Sequence, residues 1–408
     1  MTALPGRSPS SILMIVQNLP VPFDRRVWQE ATSLREAGYN VAVICPKKKM
    51  YKKSREIISG VEIYRYPLIF EASRSTVGYL FEFAYCWLAT LLLSLRAYLN
   101  RPFQVIHACN PPDTFFALAL LFRPLGVRFV FDHHDLSPEM YLAKGGSRNS
   151  LFYRGLLLLE RWTFKTADLV IAVNNSHKDI ALKRGALKES RIVVVRSGPK
   201  LSWATHSEPD QTLKREKRYL VVYLGEMCAQ DGIDYLLRAI NHYRYTYSAD
   251  TLFALVGGGP EQERMEEMAA ELQLGDCVQF TGRISDEELW KYLATADLCV
   301  DPDPYSEWSN MSTMNKVIEY MAYGKAIVSF DLAENRHSAQ QASLYVKPND
   351  IVEFSRTIRY LIENEEMRSS MAQYANRRFI DELAWERSNQ ILVAAYSSIL
   401  GGENREMV

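Results

Sequence analysis

The sequence has no paired cysteines. Its six, Cys45, Cys86, Cys109, Cys228, Cys277 and Cys299, are scattered, with no C-x-x-C and no histidine at metal-ligand spacing, which argues against a disulfide framework and a structural zinc site. Cys45 lies in VAVIC and Cys299 in ADLCV, so buried, reduced thiols in a cytoplasmic setting are expected. The N-terminal MTALPGRSPS has no long apolar core after its single arginine, and no secretory signal is read there. After the first apolar run comes QNLPVPF rather than G-x-G-x-x-G, which disfavours a dehydrogenase. Net charge is also missing, at zero over 408 residues. The balance hides an asymmetry, because residues 1–200 carry 28 Lys and Arg against 15 Asp and Glu and the remainder 20 against 33. Either two solvated surfaces of unlike charge result, or the first half meets something anionic, for which a phospholipid surface or a pyrophosphate-linked acceptor fits as well as nucleic acid.

No uninterrupted apolar run is long enough for a clean membrane span. Leu80 to Leu99, LFEFAYCWLATLLLSLRAYL, comes nearest but contains Glu82 and Arg96; it reads as a long helix, lying partly in a membrane interface or buried in the core. The neighbouring KKKMYKKSR, with six basic residues, would favour anionic lipid or form a solvated loop.

What is present is a repeated alternation of short apolar runs and helical patterns. SILMIVQNLP, then FDRRVWQEATSLREAGYN with apolar spacing at Val27, Ala31 and Leu34, then VAVICP make a βαβ unit, which implies a parallel sheet with right-handed crossovers. VEIYRYP, QVIHA, VRFVFD, DLVIAVN and RIVVVRSGP continue it, so residues 1–200 are expected to form a doubly wound domain. Residues 201–218 have no apolar period and read as a linker. The alternation restarts with YLVVYLG, TLFALVGGG, VQFTG, DLCVDP and AIVSFD, giving a second such domain over 219–380. An amphipathic stretch within 381–408 is expected to pack back toward the first domain.

Three segments of the second half draw attention together. Gly258 and Gly259 in LVGGGPE join an apolar strand to an acidic helix, a turn where main chain can approach an oxyanion or simply turn tightly. Arg283 and Ile284 follow a strand in FTGRI. In NKVIEYMAYGKAIV, a helix starting near Met314 would put Asn315 and Lys316 in its first turn and Glu319 one turn on, with Gly324 ending it.

FTGRIS-x-EEL-x-x-YLATADL-x-V, NKVIEYMAYGKAIV and LVGGGPE together resemble the C-terminal domain of the family 4 retaining glycosyltransferases. VPFDRRVWQEATSLREAGYNVAVI, FDHHDLSPE and VVRSGP resemble the N-terminal half of that family's bacterial polysaccharide enzymes. The resemblance covers essentially the whole chain in the right order. It implies the GT-B fold, two Rossmann-like domains facing across a cleft, and transfer of an N-acetylaminosugar or other hexose from a nucleoside-diphosphate sugar to a glycan or lipid-linked acceptor, with retention. It further implies Glu319 as ribose ligand, Lys316 as a phosphate contact, Arg283 and Ile284 beside the base, and His134 near the transferring sugar. Asp24, Arg25, Arg26 and His133 would serve an acceptor or phosphate cleft. No cofactor, metal or nucleic-acid partner is implied, and a peripheral place on the inner face of the plasma membrane is expected.

The chain departs from the family pattern. Glu226 and Asp231 stand where an arginine and a lysine usually face the diphosphate, and Met311 replaces the first of two paired glutamates. Asp301 and Asp303 in DPDPY resemble a metal-binding D-x-D, but Pro302 and Pro304 make a turn the better reading. A sugar-nucleotide epimerase on the same fold and a catalytically silent nucleotide-binding subunit are the rival readings.

Overall fold

Aliphatic and β-branched runs form the strands because such side chains fit a sheet covered on both faces. The computed structural model describes residues 9–48, 50–68, 76–205, 207–247 and 250–401. Its contacts divide the chain into two units, one running to Arg196 and resuming at Ser388, the other Ser197–Arg387.

In the first unit the strands are β1 (Ser11–Ile15), β2 (Asn40–Pro46), β3 (Arg55–Ile58), β4 (Val61–Tyr66), β5 (Val105–Cys109), β6 (Arg128–His133), β7 (Leu169–Ala172) and β8 (Ile192–Val194). They are ordered β3-β4-β2-β1-β5-β6-β7-β8, and every pairing is parallel except β3 with β4. That edge hairpin takes in the end of the basic segment: Arg55 pairs with Glu62, and Lys49 lies outside the described residues. The helices are α1 (Arg25–Glu36), α2 (Thr76–Asn100), α3 (Phe116–Phe122), α4 (Ser137–Ala143), α5 (Leu151–Thr166) and α6 (Asn175–Gly185). One face of the sheet shares a core with α2, α3, α5 and α6 through Cys86, Ala97, Leu118, Phe122, Phe164 and Ala181.

The second unit has β9 (Tyr219–Leu224), β10 (Thr251–Val256), β11 (Val278–Gly282), β12 (Leu298–Asp301), β13 (Ile327–Phe330) and β14 (Ser343–Val346). Their order is β11-β10-β9-β12-β13-β14, all parallel. Helices α7 (Ile233–Thr246), α8 (Gln262–Glu271), α9 (Asp286–Thr295), α10 (Glu307–Met311), α11 (Asn315–Ala322), α12 (Ala333–Ala339), α13 (Ile351–Glu363) and α14 (Glu365–Arg378) cover both faces over two cores. Residues 201–218 lie with this unit: Leu201 and Leu213 pack against its core, and Lys214 pairs with Asp297 at 2.9 Å. The last helix, α15 (Trp385–Ile399), adds its residues from Ser388 onward to the first unit.

Strand order reverses between β1 and β5 in the first unit and between β9 and β12 in the second. In open parallel sheets the crevice at the carboxyl ends of such strands is where ligands bind. Among the described residues no helix is long and apolar enough to cross a membrane.

Candidate active site

At the switch point of the second unit, the loop after β9 packs on the loop after β10. Gly257 has φ +127°, and a Cβ there would lie 1.9 Å from the Gly225 carbonyl oxygen. A Cβ on Gly259 would meet the Met227 backbone at 2.6 Å. These two glycines are therefore required by the approach of one loop to another. Gly258 is less confined, since its nearest neighbour is the flexible Gln262 side chain. Gly257 also forms a bridge to Gly282, with its N–H donating to the Gly282 carbonyl at 3.1 Å. That bridge brings FTGRI beside the glycine loop. Arg283 is exposed there, whereas Ile284 is half-buried against the core.

Helix α11 begins with Met314 as an N-cap that supplies no side-chain hydrogen bond. Asn315 is exposed, Glu319 half-buried and Lys316 only 9% exposed. The Lys316 ammonium does not stand open for a phosphate. Its Nζ donates to Asp303 Oδ1 at 2.8 Å, lies 3.4 Å from Asp301 Oδ1 and sits 4.8 Å from the centre of the Tyr223 ring. Burial works against the charge, but Asp303, Tyr223 and the other carboxylates hold the Lys316 pKa well above its ordinary value. Asp231 is raised by burial, against the pull of Lys316.

The DPDPY segment is thus more than a turn. It carries two carboxylates that are 0% and 2% exposed into the switch point, where they anchor the lysine. The prolines that favour a turn said nothing of where these carboxylates point; the signal in the sequence was an aspartate ending an apolar strand, Asp301, with a second two residues on. Glu226 is exposed at the same strand ends, while Asp231 Oδ2 accepts from the Cys228 N–H at 3.0 Å.

The first unit gathers a second polar cluster at its own switch point. Asp24 caps α1 by accepting from the Val27 N–H at 3.1 Å, and Arg25 is exposed beside it. Arg26 turns inward: Nη2 reaches Asp132 Oδ1 at 2.9 Å and Glu30 Oε1 at 3.0 Å, Nη1 the Val195 carbonyl at 2.9 Å, and Nε His134 Nε2 at 2.8 Å. Asp132 Oδ2 meets His134 Nε2 and lies 3.2 Å from His107 Nε2. Burial opposes the charge on Arg26, but Asp132 and Glu30 overcome it and raise its pKa. Asp132 is held well below the usual carboxylate range, since Arg26 and His134 outweigh burial. Burial pushes Glu30 well up and His107 down.

His134 is the partly open member of the group, with its side chain 15% exposed and its backbone N–H donating to Asn110 Oδ1 at 2.6 Å. His133, one residue back, points the other way, as strand alternation requires. It is 0% exposed and lies among Phe131, Phe164 and His177, so no ligand reaches it from the surface; its place is the core, not a phosphate cleft. Burial keeps its imidazole neutral. Arg26 is likewise inward, which leaves Asp24, Arg25 and His134 as the accessible polar groups among the residues singled out in this half.

The model for Glycosyltransferase Family 4 matches residues 24–202, and that for Glycosyl transferases group 1 matches residues 205–378. An uncharacterized glycosyltransferase of Methanocaldococcus jannaschii is 20% identical over 361 residues, covering 86% of this chain and 88% of the relative. Among solved structures, sucrose-phosphate synthase from Thermosynechococcus elongatus superposes with a TM-score of 0.77 at 18% identity, covering 97% of this chain and 100% of that one. Anabaena HepE in complex with UDP and glucose superposes with a TM-score of 0.72 at 15% identity, covering 95% and 100%. Two parallel-sheet domains and two family models matching in chain order identify the chain as a GT-B glycosyltransferase that belongs to family 4.

Proposed function

We propose that the protein transfers a hexose or an N-acetylaminosugar from a nucleoside-diphosphate sugar to a hydroxyl of a glycan or polyprenyl-diphosphate-linked acceptor, with retention at the anomeric carbon. The observation that carries the donor side of this reading is the meeting of the glycine loop, FTGRI and α11 at the strand ends of the second unit, where Gly257 bridges Gly282. Glu319 is assigned to the ribose hydroxyls, which a carboxylate accepts. Arg283 and the N–H groups at the start of α11 face the diphosphate. Lys316 contributes by holding the loop after β12 against that helix.

In the proposed step the bond from the anomeric carbon to the diphosphate oxygen breaks, the acceptor oxygen bonds to the same carbon on the same face, and the acceptor proton passes to a donor phosphate oxygen. Fixed N–H groups and Arg283 stabilise the charge gathering on the leaving diphosphate. No metal or cofactor is assigned a part. His134, held by Arg26 and Asp132, is assigned to the transferring sugar, and Asp24 and Arg25 to the acceptor side. The basic first half supports an anionic, lipid-linked acceptor at the inner face of the plasma membrane.

A thermal-shift panel with UDP, GDP and their sugars tests the donor assignment, because a ligand that binds only the folded state raises its melting temperature. One nucleotide and its sugars should stabilise the protein, and a labelled sugar should then move to a polyprenyl-diphosphate glycan. Conversion of the donor without any acceptor would instead mark an epimerase.

A further inference from the structure

Helix α2 exposes a stripe of leucines. Its buried stripe is Cys86, Thr90, Ser94 and Ala97, flanked by half-buried Trp87, Leu91, Leu93 and Tyr98 that pack on the core, whereas its exposed stripe is Leu88, Leu92, Leu95 and Leu99. Both stripes follow helical spacing, so the exposed leucines share the outer face. Leu92 is 58% and Leu99 85% exposed. Helix α5 buries Phe164 but likewise exposes large apolar side chains, at Leu151, Leu158 and Trp162. Helix α3 connects the two, through Tyr98 against Phe122 at 5.5 Å and Phe116 against Trp162 at 5.7 Å, and it exposes Leu120 and Leu121. The three helices thus lie in one layer with an apolar outer surface, and α2 alone is about 37 Å long at the usual helical rise.

The exposed charges on these three helices are basic, and Asp168, just after α5 and 3.7 Å from Arg123, is the acid at their edge. Arg96 of α2 and Arg154, Arg161 and Lys165 of α5 are exposed, as is Arg123 just after α3. Among the described side chains of the three helices the acids are Glu82, half-buried, and Glu160, buried and paired with Arg184. Leucines this exposed mark a surface meant to be covered. A second copy of the chain would set these cations against one another, whereas anionic headgroups neutralise them while the leucine stripes enter the acyl boundary.

We infer that the outer face of α2, α3 and α5 docks on an anionic lipid bilayer, lying in the interface plane. This deepens the proposed reading, on which it rests for the reason to be at a membrane: a lipid-linked acceptor is delivered there.

The test is sedimentation of the full-length protein with sucrose-loaded vesicles of phosphatidylcholine, alone or mixed with an equal part of phosphatidylglycerol. We expect binding to the mixed vesicles that falls about fivefold for each arginine neutralised, in Arg154→Gln and Arg154→Gln/Arg161→Gln. Leu92→Ser/Leu95→Ser should reduce it at least as much, and all variants should keep the wild-type melting temperature because the altered side chains are exposed. Absence of wild-type binding to mixed vesicles, or binding indifferent to both sets of changes, would overturn the inference. A homodimer that the leucine changes dissociate, without vesicle binding, would overturn it in favour of a second copy. Nucleotide stabilisation measured on the same samples separates this outcome from failure of the donor assignment.

Discussion

Lys316 Nζ lies 2.8 Å from Asp303 Oδ1, in a pocket where the lysine is 9% and the aspartate 2% exposed. Removing the cation leaves Asp301 and Asp303 buried without it. Lys316→Ala should therefore destabilise the protein by about 3–5 kcal/mol, the usual consequence of breaking a buried pair from one side. Asp303→Asn placed in that background should restore part of the loss, as read by urea unfolding. A Lys316→Ala protein as stable as wild type, deficient only in donor binding, would restore the lysine to a direct phosphate role.

Glu319 is half-buried on the same helix and is assigned to a ligand rather than to the fold. Glu319→Ala should leave the melting temperature of the free protein nearly unchanged. It should weaken binding of the donor nucleotide about tenfold or more, the worth of a charged hydrogen bond. Calorimetric titration with the nucleotide that stabilises the wild type measures it.

His134→Ala removes the partly open member of the Arg26 and Asp132 cluster. Donor-induced stabilisation should persist while transfer falls by about a hundredfold or more, the range for losing one preorganised contact to the transition state. Asp132→Asn should behave differently, losing stability as well as transfer, because Arg26 is buried against that carboxylate. Steady-state rates beside unfolding curves distinguish the two.

Gly257→Ala should be destabilising, by about 1–3 kcal/mol from its φ of +127° alone, with the Gly225 carbonyl oxygen 1.9 Å from the new methyl adding to it. Gly275→Ala, where nothing lies within 4 Å of the added carbon, is the matched control and should melt as wild type does.

Burial pushes the His177 imidazole down from 6.5 to about 3. The unfolded chain therefore binds the extra proton, so this contribution to stability is complete above the ordinary histidine pKa and is lost as pH falls toward the folded value. His177→Gln should flatten the decline below neutrality by up to about 1.4 kcal/mol per pH unit, measurable as the pH slope of urea unfolding. An unchanged slope would mean that the ring is charged in the native protein.

The readable part of this protein was whatever depends on neighbours in the chain. SILMI and TLFALV announce buried strands by composition, and in the structure every residue of both is buried. The NKVIEYMA helix starts after Met314, and Gly324, with φ +58°, follows its end. By contrast, the edge strand Arg55–Ile58 was hidden within a run of charges, because an edge needs only one covered face.

Family, fold class and the run of α/β elements were thus determined by the sequence alone, since they rest on local periodicity and on motifs of contiguous residues. Only the tertiary structure decided which charges are spent inside. Lys316 meets Asp303 from another loop, and Arg26 meets His134 across 108 positions of chain. Such pairings depend on which strand ends the sheet order brings together. The same holds for α2, where leucines and small residues both follow helical spacing. Composition makes either face a fit for the core, and the packing of the helix in the folded chain buries Cys86, Thr90, Ser94 and Ala97 and leaves Leu88, Leu92, Leu95 and Leu99 outside.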